Sequence, residues 1–120
     1  DRVRERLGAG VAIPDCEVCG GILKPAGVFF GEALPQRELE QAIWHSRNCS
    51  LFLSIGSSLV VYPAAYMPRY AVEGGAKLVI INLTPTHMDR FATVIMRYKA
   101  GEAMPHIMEK VKSRLGKEGR

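Results

Sequence analysis

The sequence predicts an α/β fold: a parallel β-sheet with helices on both faces. Two observations carry this. Short apolar runs alternate along the chain with stretches of helical period. The runs are also nearly continuous, as Leu51-Phe-Leu-Ser-Ile55 and Leu78-Val-Ile-Ile81 illustrate, and strands buried on both faces need apolar residues at successive positions.

Taken in order, residues 1–7 predict a short helix and residues 8–14 an irregular approach to a cysteine pair. The run 26–30 predicts a strand that stops at Gly31-Glu32, and a helix opens after Leu34-Pro35 and reaches about Arg47. The run 51–55 predicts the next strand, halted by Gly56-Ser57-Ser58. Residues 63–73 predict a helix ended by Gly74-Gly75, because glycine takes the left-handed conformation that closes a helix. The run 78–81 closes at Asn82 and turns through Thr84-Pro85-Thr86, and 92–96 predicts a further strand. Met104, Ile107, Met108, Val111 and Leu115 recur every three or four residues, the apolar face of a last helix.

A chain of 120 residues has room for one compact module. With 48% hydrophobic and 23% charged residues it is too apolar for a disordered tail. The net charge of +4 falls at the termini: +1 over residues 1–6, +3 over 109–120, and balance between. A nucleic-acid surface requires a basic patch on the folded body, so no nucleic-acid partner is expected. No window approaches the roughly 18 apolar residues of a membrane span, and no basic-apolar leader opens the chain, which predicts no membrane partner and a cytoplasmic protein. Three cysteines are too few for a disulfide scaffold. The chain begins at Asp1 and not at methionine, so truncation is an open expectation.

Ligands of open parallel sheets bind outside the carboxyl ends of the strands. The expected ends are Gly31-Glu32, Gly56-Ser57-Ser58 and Asn82-Leu83-Thr84, small or polar residues that offer N–H groups and hydroxyls. By spacing alone, Gly56-Ser57-Ser58 suits either a ribose or phosphate contact or an ordinary turn; no Gly-x-Gly-x-x-Gly accompanies it. Gly8-Ala9-Gly10 follows no apolar strand and reads as loop. Cys16-x-x-Cys19 followed by Gly20-Gly21 has the form of a zinc knuckle supplying two of four thiolates, with a redox pair as the rival. Cys49 reads as a buried inert thiol. His45, His87 and His106 read as surface or structural residues, and Glu32 is a loop carboxylate beside two aromatics.

Four segments together, Cys16-x-x-Cys19-Gly-Gly, Lys24-Pro-Ala-Gly-Val-Phe-Phe-Gly-Glu32, Gly56-Ser-Ser-Leu-Val-Val-Tyr-Pro63 and Ile80-Ile-Asn82, resemble the sirtuin family in order and spacing. The resemblance runs from about Ile13 to Leu115. It implies the carboxyl-terminal half of a Rossmann-like parallel sheet over residues 26–120, plus a remnant of a small zinc-binding module over 1–25. It also implies an NAD-dependent protein lysine deacetylase or deacylase, which transfers the acyl group to ADP-ribose and releases nicotinamide.

Carried over position by position, Cys16 and Cys19 look like the second zinc pair. Gly56, Ser57 and Ser58 look like the loop along the NAD ribose and phosphates, Asn82, Leu83 and Thr84 like adenosine ribose contacts, and Ala100 like a backbone contact near adenine. Val28, Phe30, Gly31 and Glu32, with Val61 opposite, look like the two edges that take an acyl-lysine peptide as an added strand. The family's first NAD loop, Gln-Asn-x-Asp segment, catalytic His-Gly and first zinc pair would precede Cys16 and do not occur here. Gly27 and Ser57 depart mildly from the family pattern. The expectation is an incomplete part, with no catalytic residue of its own, that needs a sirtuin amino-terminal half as partner and is inactive alone. The rival expectations are a stand-alone peptide-binding module and a small zinc-ribbon interaction protein.

Overall fold

The computed structural model describes residues 2–23 and 25–118. Asp1, at the start of the first expected helix, and Lys24, at the start of the second resemblance segment, lie outside them. The chain divides into two compact units, Asp1–Leu34 and Pro35–Arg120.

In the first unit, helix α1 (Arg2–Gly8) leads through turns to the cysteine pair. An isolated antiparallel bridge between Asp15 and Ile22 closes the knuckle. The strand expected over 26–30 does not form. Among the described residues the segment finds no neighbouring strand, and the Ala26-Gly27 that opens it is poor in β-formers, so nothing completes a ladder. What forms instead is a turn in which the N–H of Glu32 donates to the Phe29 carbonyl at 3.0 Å and the N–H of Phe29 donates to the Glu32 carboxylate at 3.2 Å. Gly31-Glu32 is therefore a turn and not a strand end.

The second unit holds α2 (Gln36–Asn48), β1 (Leu51–Ile55), α3 (Met67–Glu73), β2 (Lys77–Ile81), β3 (Val94–Met96) and α4 (Ala100–Glu118). The three strands form one parallel sheet in the order β1-β2-β3. The helix expected over 63–73 is divided. Pro68 has no N–H to return to the Ala64 carbonyl, which takes the Met67 N–H instead, so residues Ala64–Tyr66 wind as a tighter 3₁₀ turn before α3. At the other end of α3, Gly75 N–H donates to Val72 and Ala76 N–H to Ala71, with Gly75 at φ +88°. This Schellman pattern is what Gly74-Gly75 predicted.

Register puts Phe52 beside Leu78, Ser54 beside Ile80 and Ile80 beside Ile95, all on one face. That face carries the core of Leu78, Ile80, Leu59, Ala65 and Met88, with Phe52, Val72 and Ala92 against it. Helices α2 and α3 pack on each other, α3 contacts β1 and β2, and the Arg47 guanidinium lies 4.8 Å from the Tyr70 ring centre. On the opposite face Met96 of β3 and Ala103 and Ile107 of α4 line a common cavity of about 460 Å³. Farther back on that face Leu51, Leu53 and Val94 are exposed. Among the described residues no helix is long and apolar enough to cross a membrane.

Candidate functional site

Parallel pairing of Ile55 with Ile81, and of Ile81 with Met96, brings the next residues, Gly56, Asn82 and Arg97, into a row along the carboxyl edge of the sheet. Hydrogen bonds extend the ladder by one rung: Gly56 N–H donates to the Ile81 carbonyl at 2.8 Å, and Asn82 N–H to the Met96 carbonyl at 3.1 Å. Gly56 stands at φ +64°, a conformation side chains resist. A Cβ built there would lie 3.8 Å from the Cβ of Ala100. The first residue of α4 thus sits against the end of β1, 44 positions away in sequence.

Behind Gly56 the chain is pinned. Leu59 is also left-handed, at φ +57°, and two contacts hold it there. Its N–H donates to the Ser57 hydroxyl at 3.2 Å, and its side chain is buried in the core. Ser58 and Val61 are exposed, Ser57 half-buried. The β1 end therefore offers hydroxyls on a fixed backbone, a preorganised rim rather than a loose loop.

At the end of β2, the Asn82 amide nitrogen donates to the Thr84 carbonyl at 2.9 Å and to the Thr84 hydroxyl at 3.2 Å. A carbonyl can only accept, so this bond fixes which side of the amide is nitrogen. Asn82 consequently presents its oxygen, an acceptor for a diol. Leu83 and Thr84 are exposed beside it. The loop is tied at its far end as well: the Thr86 hydroxyl donates to Asp89 at 2.8 Å, and Arg97 pairs with Asp89. Burial raises the Asp89 carboxyl, but hydrogen bonds from the Thr86 side chain and backbone, together with the Arg97 guanidinium, outweigh it and hold the group below its ordinary range.

The structure thus brings together Gly56, Ser57, Ser58, Asn82, Leu83, Thr84 and Ala100, drawn from three segments. Arg97 was missed. The rule that ligands meet strand ends, applied to the third strand, would have found it.

In the other unit, Val28, Phe30, Gly31 and Glu32 lie in and just before the Phe29–Glu32 turn, with Phe30 97% exposed. The cysteine knuckle fits two corners of a thiolate site. Gly20 N–H donates to the Cys16 carbonyl and Cys16 N–H to the Gly21 carbonyl, each at 2.8 Å. The Cys16 thiol is held below its usual range by the N–H groups of Cys19 and then Val18, and by the Cys19 side chain, against burial and the Glu17 charge. N–H groups aimed at sulfur favour a thiolate ready for metal. Among the described residues no group of three or more ligating side chains gathers. Cys49 caps α2 and donates its thiol to the Ser46 carbonyl at 3.2 Å, a structural role. His45 packs edge-on against Trp44, His87 lines a groove beside α3, and His106 lies on α4.

Comparison with known proteins agrees with this arrangement. The sequence pattern of the Sir2 family matches residues 2–63. The chain belongs to the Sir2 family, the sirtuins. It is 50% identical over 101 residues to NAD-dependent protein deacylase 2 of Archaeoglobus fulgidus, covering 83% of this chain and 40% of that protein. It is 45% identical over 102 residues to NAD-dependent protein deacetylase 1 of Pyrobaculum aerophilum, covering 85% and 40%. Among solved sirtuins, one described with a p53 peptide and NAD+ superposes with a TM-score of 0.73 at 41% identity, over 91% of this chain and 45% of its own. Another, bound to a propionylated peptide, gives 0.74 at 41% identity, over 92% and 46%. The chain therefore spans less than half the length of these sirtuins.

Proposed function

We propose that this chain is the adenosine-holding and peptide-lining part of an NAD-dependent protein lysine deacetylase or deacylase. The observation that supports it best is the carboxyl edge of the sheet, where Gly56 and Asn82 stand in one row, Ala100 lies against Gly56, and the hydrogen-bonding groups are fixed. Relatives named for NAD dependence support the choice of ligand.

On this reading Gly56 lets a phosphate approach the backbone, Ser57 and Ser58 donate hydroxyls to phosphate or ribose, and the Asn82 oxygen accepts from the adenosine ribose. Leu83 and Thr84 flank that ribose, and Ala100 lies near adenine. When bound, NAD supplies the ADP-ribose that accepts the acyl group, with nicotinamide as leaving group. Val28, Phe30, Gly31 and Glu32 in one unit, and Val61 in the other, are each read as contacts of the acyl-lysine peptide, made through main-chain bonds. Cys16 and Cys19 hold a structural zinc jointly with ligands from the rest of the protein. Residues 1–25 then belong to the zinc module and 26–120 to the Rossmann-like domain of a cytoplasmic enzyme. His45 and His87 lie on other elements, and His106 of α4 lines the cavity it shares with Met96 and not the Gly56–Asn82 row. Following the family resemblance, the base is assigned to the amino-terminal half, and this chain alone is read as inactive.

The test is Asn82→Ala in the full-length protein. Losing one acceptor to a ribose hydroxyl costs about 1 to 3 kcal/mol, so the KM for NAD rises by roughly 5- to 150-fold while the KM for peptide stays constant. Unchanged NAD kinetics remove Asn82 from the site.

A further inference from the structure

Arg97 follows β3 directly and is the third residue in the row with Gly56 and Asn82. No NAD role was expected of it from the sequence. One guanidinium nitrogen donates to the carbonyls of both Asn82 and Thr84, each at 3.2 Å. The other pairs with the Asp89 carboxylate, which the Thr86 hydroxyl also engages. A planar guanidinium is the side chain suited to such a task, because its donors leave in fixed directions from one rigid group. The side chains of this pair are only 35% and 20% exposed, for Arg97 and Asp89 respectively, so solvent screens the attraction less than it would on an open surface.

The bonds join the two ends of the segment from Asn82 to Asp89. Within it, the Asn82 amide and the Thr84 carbonyl and hydroxyl already form a closed set. Arg97 grips that set from outside through the carbonyl of each residue. Without it, the loop keeps its internal Asn82–Thr84 bonds and the ladder bond from the Asn82 N–H to the Met96 carbonyl, but loses the strut that ties Thr84 and Asp89 to the end of β3 and orients the loop beyond Asn82.

We propose that Arg97 is a positioning residue for the nucleotide: anchored by Asp89, it holds the Asn82–Thr84 loop so that the Asn82 oxygen meets the adenosine ribose. This rests on the assignment of that loop to NAD above. Arg97 acts through Asn82 and need not touch the ligand.

The experiment uses the full-length protein with steady-state kinetics in NAD and in acetyl-lysine peptide. Arg97→Ala is expected to raise the KM for NAD about tenfold, the scale of one charge-assisted hydrogen bond, with kcat at saturating NAD and the peptide KM within twofold. Arg97→Lys is expected to recover part of the loss, since an ammonium keeps the Asp89 pair but cannot span both carbonyls. Asp89→Asn separates positioning from direct contact. It should also weaken NAD, because it frees the anchor; NAD binding that is unchanged or tighter would mean that Arg97 meets the phosphates itself, and would overturn the proposal. An NAD analogue lacking the adenosine ribose hydroxyls should make Arg97→Ala nearly silent, whereas an undiminished effect would also overturn it. A fall in kcat that merely follows lost thermal stability, at constant KM, would reduce Arg97 to a structural residue. Asn82→Ala in the same series distinguishes the two levels. If it leaves the KM for NAD unchanged, the loop assignment fails; if it raises KM while Arg97→Ala does not, only the positioning role fails.

Discussion

Replacing Gly74 by alanine would put a methyl carbon 2.2 Å from the carbonyl oxygen of Arg47, 3.0 Å from its carbon and 3.3 Å from its Cα. All three are backbone atoms in the last turn of α2, so no side-chain rotation relieves the clash. The oxygen contact must open by about 0.8 Å merely to reach the 3.0 Å limit below which such contacts essentially never occur. That displacement falls on the seam between α2 and α3. Overpacking of this kind costs typically 1 to 3 kcal/mol, and a rigid backbone obstacle belongs at the upper end, about 2 to 3 kcal/mol. In a protein of the relatives' length this lowers Tm by roughly 5 to 10 °C. Gly116→Ala supplies the contrast: it lies in exposed α4, its added Cβ meets nothing within 4 Å, and it should gain about 0.5 to 1 kcal/mol from helix propensity alone. Thermal unfolding followed by circular dichroism on the full-length protein measures both. A Gly74→Ala protein as stable as the parent would refute the close α2–α3 approach.

Two further outcomes follow from single groups. Ser54 is buried on the core face of β1, and its hydroxyl has no partner among the described residues. Ser54→Ala should therefore stabilise by up to about 1 kcal/mol by removing an unpaired polar atom; a loss in chemical denaturation would mean that the hydroxyl is bonded. Asp89 has a folded-state pKa below its unfolded value, so its contribution to stability is complete above the ordinary carboxylate range and disappears as pH falls through the folded value. The stability difference between the parent and Asp89→Asn should be constant from pH 7 to 5 and shrink below about pH 4; a difference that grows on acidification would contradict the pairing with Arg97.

Much of this arrangement was legible before any coordinates. The runs ending at Ile55, Ile81 and Met96 are continuous and apolar, and all three became strands of one parallel sheet. Gly74-Gly75 closed α3 as its chemistry requires. The strand expected over 26–30 failed because apolar content alone does not make a strand, which needs a partner to complete its hydrogen bonds. The helix expected over 63–73 was misjudged in its first turn, since the effect of Pro68 falls four residues upstream, on the Ala64 carbonyl. The resemblance pointed to Ala100 and Gly56 separately, and only the structure places them side by side, because no local pattern signals a meeting across 44 positions. Arg97 stayed invisible for a similar reason: an arginine after a strand looks like any solvated charge until the strand order sets it beside Asn82.

The most direct test of the functional reading is nicotinamide release from NAD in the presence of an acetyl-lysine peptide, measured for the purified 120 residues alone and for the same residues joined to a sirtuin amino-terminal half. The expected result is no turnover from the chain alone and peptide-dependent release from the joined protein. Turnover by the 120 residues alone would require a base among His45, His87 and His106 and would contradict the division of labour proposed here, as would a joined, folded protein that binds no NAD.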